Sequence, residues 1–243
     1  MLSVIAANSA VFSRHAFSLF EVPCTAGVPD VVLLRFDAAA RKDRRDRAFI
    51  VELADVKTML AATSTPVGSS LDVAELSRRV GLGARHLRRV VLPRLVDGGH
   101  MARDGDEWRP THPYRSLAAH VVTVEAKLRD WRGGVMQASR HRLASDAAWV
   151  AIDSASSSRA IESAHWFTTY GIGLAVVSVD GTVQPTFVPA IRHGRNSDRE
   201  LLVERAAGIH HSGARSGSLS HVFGRFLSVS TGVDPRLSGV AGC

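Results

Sequence analysis

Two short motifs contain residue types that can hydrolyse phosphodiester bonds. Asp30 precedes the apolar run Val31–Phe36, and Glu125 and Lys127 close a second apolar run. Because side chains alternate along a strand, Glu125 and Lys127 share one face, and Ala126 between them points into the core. The carboxylates of Asp30 and Glu125, with the Ala126 carbonyl, would be hard oxygen ligands for Mg²⁺. The metal would polarise the phosphate and activate a water, which Lys127 would position.

Lysine is rare in this chain, which makes the lysine of the second motif informative. Lysine and arginine together number 30, and only Lys42, Lys57 and Lys127 are lysine. A lysine in a Glu-x-Lys pattern at the end of an apolar run is therefore a specific feature. The same spacing allows a plainer interpretation, in which Glu125 and Lys127 form a structural ion pair in a fold without catalytic activity.

The apolar pattern around these motifs predicts a sheet with helices on its faces. Strands are expected over 31–36, 121–127, 147–152, 173–179 and 182–190, and helices over 128–144 and 158–170. Gly171 is placed to end the second helix, and Asp180-Gly181 is a hairpin signal between the last two strands. Strands that alternate with helices in this way indicate the α/β class.

Residues 49–111 interrupt this alternation with the pattern of a separate module. Helices are predicted over 51–60, over 72–80 and from residue 84 onward. Gly81-Leu82-Gly83 is a tight turn between the second and third of these helices, and Pro93 is expected to break or kink the third. Asp104-Gly105-Asp106 then predicts a hairpin turn.

This order of helix, short glycine turn, basic helix and hairpin resembles the winged helix-turn-helix family over residues 50–111. In that family the second helix enters the major groove of DNA and the hairpin contacts the backbone. The resemblance implies duplex-DNA contacts by eight basic residues: Arg78, Arg79, Arg85, His86, Arg88, Arg89, Arg103 and Arg109. The stretch 78–103 contains seven arginines and one aspartate, a net charge of +6, and acidic residues flank it on both sides. A winged helix used for protein contacts is the alternative.

The motif around Glu125 resembles the PD-(D/E)XK nuclease superfamily, whose restriction-endonuclease-like core places such residues on adjacent strands. The resemblance covers residues 20–37 and 118–190. It includes the helix after Lys127, where Gln137 matches a glutamine that helps to hold the site and the backbone phosphate. The residues that it implies for Mg²⁺-dependent hydrolysis of DNA are Asp30, Glu125, Lys127 and Gln137.

Three features bear on how closely the chain follows that superfamily. The long interval between Asp30 and Glu125 is explained by the module inserted between them. His141 stands one helical turn beyond Gln137, at a position where a related subgroup has tyrosine. Family members usually carry an acidic residue on a first helix, and nothing before Glu21 is acidic. That helix is therefore expected to be missing or degraded, with Glu21 as a substitute that would approach from a strand.

Composition limits the class of protein. Of the 243 residues, 45% are hydrophobic and 22% are charged, as in globular proteins, and the net charge of +7 favours an anionic partner such as DNA. No apolar run is long enough for a membrane span, and the N-terminus does not have the pattern of a signal peptide. Cys24 and Cys243 cannot by themselves form a disulfide framework or a zinc site, which favours a reducing cytoplasm.

Two segments have weaker patterns. Residues 41–47 include five basic and two acidic residues, and are interpreted as a solvated loop or as a phosphate-contacting arm. From residue 193 onward periodicity fades. Residues 201–207 could form a helix, and 208–243 are rich in glycine and serine, so that this tail is expected to be loosely ordered.

The sequence therefore predicts an α/β protein with a restriction-endonuclease-like mixed sheet flanked by helices and an inserted winged helix-turn-helix module. The predicted segments are 1–48 and 116–192 for the two parts of the core, 49–115 for the insertion, and 193–243 for a partly flexible C-terminal extension. The leading hypothesis is a protein that binds double-stranded DNA and cleaves it with Mg²⁺. The alternative is a non-catalytic DNA-binding regulator whose nuclease fold is a scaffold or a homodimerisation surface.

Overall fold

A computed structural model describes residues 1–44, 46–192, 194–217, 221–222 and 225–226 of the chain. The helices are α1 (Leu2–Ala7), α2 (Ser9–Phe12), α3 (Ala38–Asp43), α4 (Leu53–Ala62), α5 (Val73–Val80), α6 (Ala84–His86), α7 (Leu92–Asp97), α8 (Trp131–His141), α9 (Ser158–Glu162), α10 (Ala164–Tyr170) and α11 (Ser197–His211). The strands are β1 (Phe17–Phe20), β2 (Val31–Phe36), β3 (Met101–Asp104), β4 (Glu107–Pro110), β5 (Ala118–Lys127), β6 (Ala147–Asp153), β7 (Gly173–Val177), β8 (Val183–Phe187), β9 (His221–Val222) and β10 (Arg225–Phe226). None of the described helices combines the length and apolar character that crossing a membrane requires.

Six of these strands form one mixed sheet in the order β1-β2-β5-β6-β7-β8. Strands β5, β6 and β7 run parallel to one another, and the remaining pairs are antiparallel. Parallel neighbours need a crossover connection, and helix α8 joins β5 to β6 while α9 and α10 join β6 to β7. The predicted α/β class, with a mixed sheet flanked by helices, is confirmed.

The central strands are buried on both faces, which gives the core three layers. Along β2, Val31 and Leu33 belong to an apolar cluster with residues of α1 and α2. Val32 and Leu34 point the other way and cluster with residues of α11. Helices α8 and α10 cover the neighbouring part of that second face through Val135 and its apolar surroundings. The continuous apolar run of β2 is thus explained by burial on both sides.

The N-terminal residues form more structure than the sequence predicts. Helices α1 and α2 bury Ile5 and Phe12 against the sheet, so the first helical segment is not missing, although its helices have only six and four residues. Neither helix carries an acidic residue in its first turn, and the sequence has none before Glu21. The helix predicted over 158–170 is divided into α9 and α10 at Ser163, whose backbone leaves helical geometry.

The segment between β2 and β5 contains helices α4, α5 and α6–α7, followed by the hairpin β3–β4. The carboxylate of Asp72 caps α5 by accepting the N–H groups of Ala74 and Glu75. Gly81 ends α5 in the left-handed conformation, with φ of 68°, which glycine adopts without a Cβ penalty. The predicted helices, glycine turn and hairpin are therefore present as elements of secondary structure.

Pro93 does not break the third helix of this segment. Residues Leu87–Val91 form a π-helical turn between α6 and α7, and the chain stays helical from Ala84 to Asp97. A proline removes one backbone donor and crowds the preceding turn. The wider i→i+5 turn just before Pro93 accommodates both effects, so of the expected break or kink the break does not occur.

Helix α11 is an integral part of the core, although the sequence analysis assigns it to a C-terminal extension. Leu202 and Val203 pack on the sheet, and Leu201 joins the apolar cluster of α4, α5 and α7. Residues 197–211 of the predicted extension therefore connect the sheet to the inserted segment. The rest of the predicted flexible tail, apart from 212–217 and the short strands β9 and β10, lies outside the described residues.

A buried carboxylate of α11 fixes both ends of the inserted segment. Glu204 accepts two hydrogen bonds from the guanidinium of Arg44, at 2.8 and 2.9 Å, and one from the backbone N–H of Ile50 at 3.1 Å. The hydroxyl of Tyr114 donates to the same carboxylate at 3.0 Å. Burial and the nearby carboxylates of Glu204 and Glu200 raise the pKa of Tyr114 well above its usual value, so that its hydroxyl remains a donor.

A second ion pair of α11 lies against the sheet. The Arg199 guanidinium donates to both oxygens of Asp146, at 2.7 and 2.9 Å, and to Glu200 at 2.7 Å. Asp146 in turn accepts the backbone N–H of Val121 in β5 at 2.8 Å. The hydroxyl of Ser116, just before β5, accepts from Arg199 at 3.0 Å. We call the residues Arg44, Tyr114, Asp146, Arg199, Glu200 and Glu204 the α11 network.

Removing one charge of the α11 network should lower the stability of the folded chain. We expect Glu204→Gln to lower the free energy of unfolding by about 3–5 kcal/mol, because it leaves the Arg44 guanidinium buried without its counter-ion. Urea denaturation measures the decrease. The matched control is Glu75→Gln, which removes a surface carboxylate paired with Arg78 and Arg79 and should cost less than about 1 kcal/mol. Equal decreases in the two variants would contradict this account of the network.

Candidate active site

Strand pairing brings the two predicted acidic motifs together. Strands β2 and β5 are antiparallel, with Val31 opposite Val124, so that Asp30 lies beside the end of β5. The Oδ2 atom of Asp30 accepts the backbone N–H of Ala126 at 2.8 Å. This bond fixes one carboxylate oxygen of Asp30 against the middle residue of the Glu125-Ala126-Lys127 motif.

The Glu125 carboxylate is buried, only 2% exposed, and lies between two nitrogen-bearing side chains. The Nζ atom of Lys127 is 3.4 Å from Oε2 of Glu125, which confirms that the two side chains share a face of β5. The Nδ1 atom of His141 is 2.8 Å from Oε1. That contact is close but poorly aligned, and neither Oε1 nor Nδ1 makes a hydrogen bond of good geometry within the described part of the chain. Glu125 Oε1 therefore has unused acceptor capacity in a buried site.

The position of His141 beside Glu125 depends on Gly27, which packs against the Nε2 side of the imidazole ring. Gly27 has φ of 125°, and a Cβ at this position would lie 3.0 Å from the Nε2 atom of His141. The loop that carries Gly27 is held by the helix α11, since Thr25 donates to the Asp198 carboxylate at 2.5 Å and Arg205 donates to the Pro23 carbonyl at 3.2 Å. The loop before β2 thus forms one wall around His141.

The two glycines of α8 let the helix approach the site. A Cβ at Gly134 would lie 2.9 Å from the Cγ atom of Lys127 and 3.1 Å from Val150, so glycine allows close packing of α8 on β5 and β6. At Gly133 a Cβ would collide with the carboxylate of Asp130, which caps α8 by accepting the Gly133 N–H. The weak helix propensity of this pair is offset by the close packing of α8 at Gly134 and by the Asp130 cap.

The electrostatics of the site act mainly on Asp30. Burial raises the pKa of the Asp30 carboxyl, the backbone N–H of Ala126 lowers it in part, and the Glu125 carboxylate raises it further. Two carboxylates held close together in a half-buried position disfavour each other's charge. The same arrangement favours binding of a cation between them.

The remaining predicted residues of this site are less closely placed. Gln137 lies one helical turn before His141 on α8, half-buried, and its side chain makes no hydrogen bond to any other described residue. Glu21 is exposed, with φ of 51°, and its carboxylate accepts the hydroxyl of Ser216 at 3.3 Å. The backbone N–H of Glu21 donates to the Asp30 carbonyl at 3.3 Å, so Glu21 lies beside Asp30 at the end of the neighbouring strand.

The oxygens of Asp30 and Glu125 are the type that Mg²⁺ prefers, and two side chains are fewer than a closed metal cage needs. Among the described residues, no group of three His, Cys, Asp or Glu side chains is arranged to hold a metal ion. Mg²⁺ is commonly bound by one or two carboxylates, with waters and substrate phosphates completing its shell. The carboxylate oxygens of Asp30 and Glu125, including the Oε1 atom that makes no well-aligned hydrogen bond, fit that requirement.

The eight basic residues predicted to contact DNA fall into two groups. Arg78 and Arg79 pair with Glu75, Arg103 lies 3.8 Å from Asp106, and Arg109 lies 2.5 Å from Glu107. The exposed group at the start of the third helix comprises Arg85, His86, Arg88 and Arg89. No salt bridge within the described ranges involves Arg85, Arg88 or Arg89.

The sequence predicts the carboxylates of Asp30 and Glu125 and the lysine of the site. It does not predict that the loop with Gly27 packs against His141 beside them. The role of Gly27 depends on its packing against His141, which lies more than a hundred positions away, and no local pattern marks it. The only available signal is the break Cys24-Thr25-Ala26-Gly27 between two extended runs. His141 is visible only as a neighbour of Gln137 on one helical face.

Comparison of the chain with models of known protein families, with curated proteins and with solved structures gives no match.

The raised pKa of Asp30 predicts a pH-dependent effect of Asp30→Asn. An acid with a raised pKa binds more protons in the folded state, so the wild-type chain loses stability as pH rises above 3.8, the usual aspartate value. The asparagine variant keeps an oxygen acceptor for Ala126 and is free of this penalty. Its advantage over the wild type in urea denaturation should therefore grow with pH above that value. Asp106→Asn, at an exposed position, is the control. A stability advantage of Asp30→Asn that becomes smaller as pH rises would contradict the raised pKa of Asp30.

Proposed function

We propose that this chain binds duplex DNA and hydrolyses its phosphodiester bonds with Mg²⁺ at Asp30, Glu125 and Lys127. The single observation that carries the proposal is the convergence of these three side chains at adjacent strand ends, with the buried Oε1 of Glu125 lacking a well-aligned partner among the described residues. Oε1 lies 2.8 Å from Nδ1 of His141 without a well-aligned hydrogen bond, so it could accept a metal ion in addition to this contact.

Each side chain of the site has a distinct role in this proposal. Asp30 and Glu125 would hold Mg²⁺, which supplies polarisation of the phosphate and a more acidic water. Lys127, whose side chain is 22% exposed, would donate to the phosphate and stabilise the negative charge that develops there. His141 would keep the Glu125 carboxylate in position, and the unengaged amide of Gln137 would donate to a phosphate oxygen. These residues would act at the position that the PD-(D/E)XK resemblance implies.

The proposed DNA interface is the winged-helix-like segment with α5, the helix of α6 and α7, and the hairpin β3–β4. Arg85, Arg88 and Arg89 would provide its main phosphate contacts, because they are exposed and lack a salt bridge in the described part of the chain. Arg78, Arg79, Arg103 and Arg109 are held by nearby carboxylates, so their net attraction for DNA would be weaker. His86 adjoins the first group and would be a secondary contact.

The second candidate function is a DNA-binding regulator without catalytic activity. It is favoured by the depth of Glu125 and by the lack of an acidic residue on α1 and α2. In this alternative, Lys127 forms a structural ion pair with Glu125 and His141 packs against the carboxylate, and the sheet is a scaffold or a surface for a second copy of the chain. Both candidates share the DNA interface and differ only at the strand ends.

A plasmid-nicking assay separates the two candidates. We expect the wild-type chain to nick supercoiled DNA with Mg²⁺ and to lose this activity in EDTA. Glu125→Gln and Lys127→Ala should each lower the rate by about 100-fold or more, because the first weakens a ligand of Mg²⁺ and the second removes a positive charge at the reacting phosphate. Exposed Arg14 and Arg159 provide the matched control, since their replacement by alanine should leave the rate unchanged. Tight DNA binding by a wild-type chain that never cleaves would leave the regulator as the correct function.

The DNA interface is tested by salt-dependent affinity for duplex DNA. Arg85→Ala combined with Arg89→Ala should weaken binding and reduce the slope of log affinity against log salt by about 2, because each arginine that no longer neutralises a phosphate lowers it by roughly 1. Arg14→Ala combined with Arg159→Ala removes the same charge from the sheet domain and should change the slope by much less. An unchanged slope in the first pair would exclude this helix from the interface.

A further inference from the structure

A cavity lies at the end of strand β2 opposite to Asp30. This cavity of about 750 Å³ is bounded by the end of β2, by α3 with the segment that follows it, and by the end of α11. Phe36 lines this cavity, whereas Asp30 precedes the opposite end of β2. Six residues of extended strand separate them, a distance of about 20 Å. The cavity is therefore separate from the candidate active site.

The polar wall of this cavity is predominantly cationic. Arg41, Lys42 and Arg47 line it, together with the carboxylate-bearing Asp46. Arg41 and Lys42 are exposed, and Arg47 also donates to the carbonyl of Asp43. Buried Arg44 is part of the same wall, and its Nε–H has no hydrogen-bond acceptor among the described residues. The sequence leaves the basic run 41–47 open as a solvated loop or a phosphate-contacting arm. In the structure, residues 41, 42, 44, 46 and 47 of this run line one side of the cavity.

The other wall is aromatic. Phe36 and Phe49 line the cavity with His210 and His211 of α11. The Arg41 guanidinium lies 4.4 Å from the centre of the Phe36 ring, and the His210 ring lies 5.0 Å from it. Burial, together with the positive charges of Arg41 and His211, lowers the pKa of His210. The basic side chains of Arg41, Lys42 and Arg47 in the polar wall favour an anion in this cavity.

We propose that this cavity binds a nucleotide, with the phosphates at Arg41, Lys42 and Arg47 and the base against the aromatic wall. Its volume falls within the range of small-ligand sites, about 300–1,000 Å³. Arginine and lysine suit phosphate oxygens, and aromatic rings suit the planar base. Since its walls come from both the sheet and the connection to the helix–hairpin segment, an occupied cavity would tie these parts together. The site is independent of the function proposed for Asp30 and Glu125.

Isothermal titration in EDTA tests the proposal without involving Mg²⁺ chemistry. The probes are ATP, adenosine and inorganic triphosphate. We expect ATP to bind, and adenosine and triphosphate each to bind more weakly by about tenfold or more, because each engages only one of the two walls. Arg41→Ala combined with Arg47→Ala should weaken ATP binding by at least about tenfold, since at least one charge-assisted hydrogen bond to the phosphates is removed.

Two further variants make the result interpretable. Arg14→Ala combined with Arg159→Ala removes the same charge elsewhere and should leave ATP affinity unchanged. Lys42→Glu, at an exposed position, should weaken ATP binding as strongly as the double variant and serves as the test if the double variant fails to fold. The proposal is overturned if ATP does not bind, if it binds these cavity variants as well as wild type, or if triphosphate binds as tightly as ATP. Failure of ATP to bind, with weaker binding of duplex DNA by the cavity variants, would instead assign this basic wall to the DNA interface.

Discussion

The buried carboxylate of Glu204 is the constraint on which the arrangement of the molecule depends. It is fully buried, and four hydrogen bonds from Arg44, Ile50 and Tyr114 satisfy its two oxygens. Burying a charge is costly unless partners are held in good geometry. The segments before and after the inserted helices must therefore meet at α11, and the insertion leaves and rejoins the sheet at one point.

The same helix also supports the candidate active site. The N-terminal half of α11 binds Asp146 through Arg199, and Asp146 fixes the backbone of β5 at Val121. On its other side, Asp198 holds Thr25 in the loop that contains Gly27. That loop packs on His141, which contacts Glu125. The position of a proposed metal ligand is thus coupled to the contacts that attach the inserted segment.

Local sequence signals predict the parts of this structure that local forces determine. The strands, the Gly81 turn and the common face of Glu125 and Lys127 all follow from spacing and glycine conformation. The role of α11 does not, because this helix is buried around most of its circumference and mixes apolar residues with Arg199 and Glu204. It has no amphipathic stripe that would indicate one buried face. Its position becomes clear only when its ionic partners, which are distant in sequence, are placed beside it.

The central claim is that Asp30 and Glu125 share a divalent cation. Anomalous scattering from crystals of the chain grown with Mn²⁺, a substitute for Mg²⁺, tests it most directly because it locates the ion without requiring activity. The account predicts a peak in direct contact with the carboxylates of Asp30 and Glu125. Absence of a peak there at saturating Mn²⁺, with Glu125 still held by Lys127 and His141, would contradict it and identify the cluster as a structural ion pair.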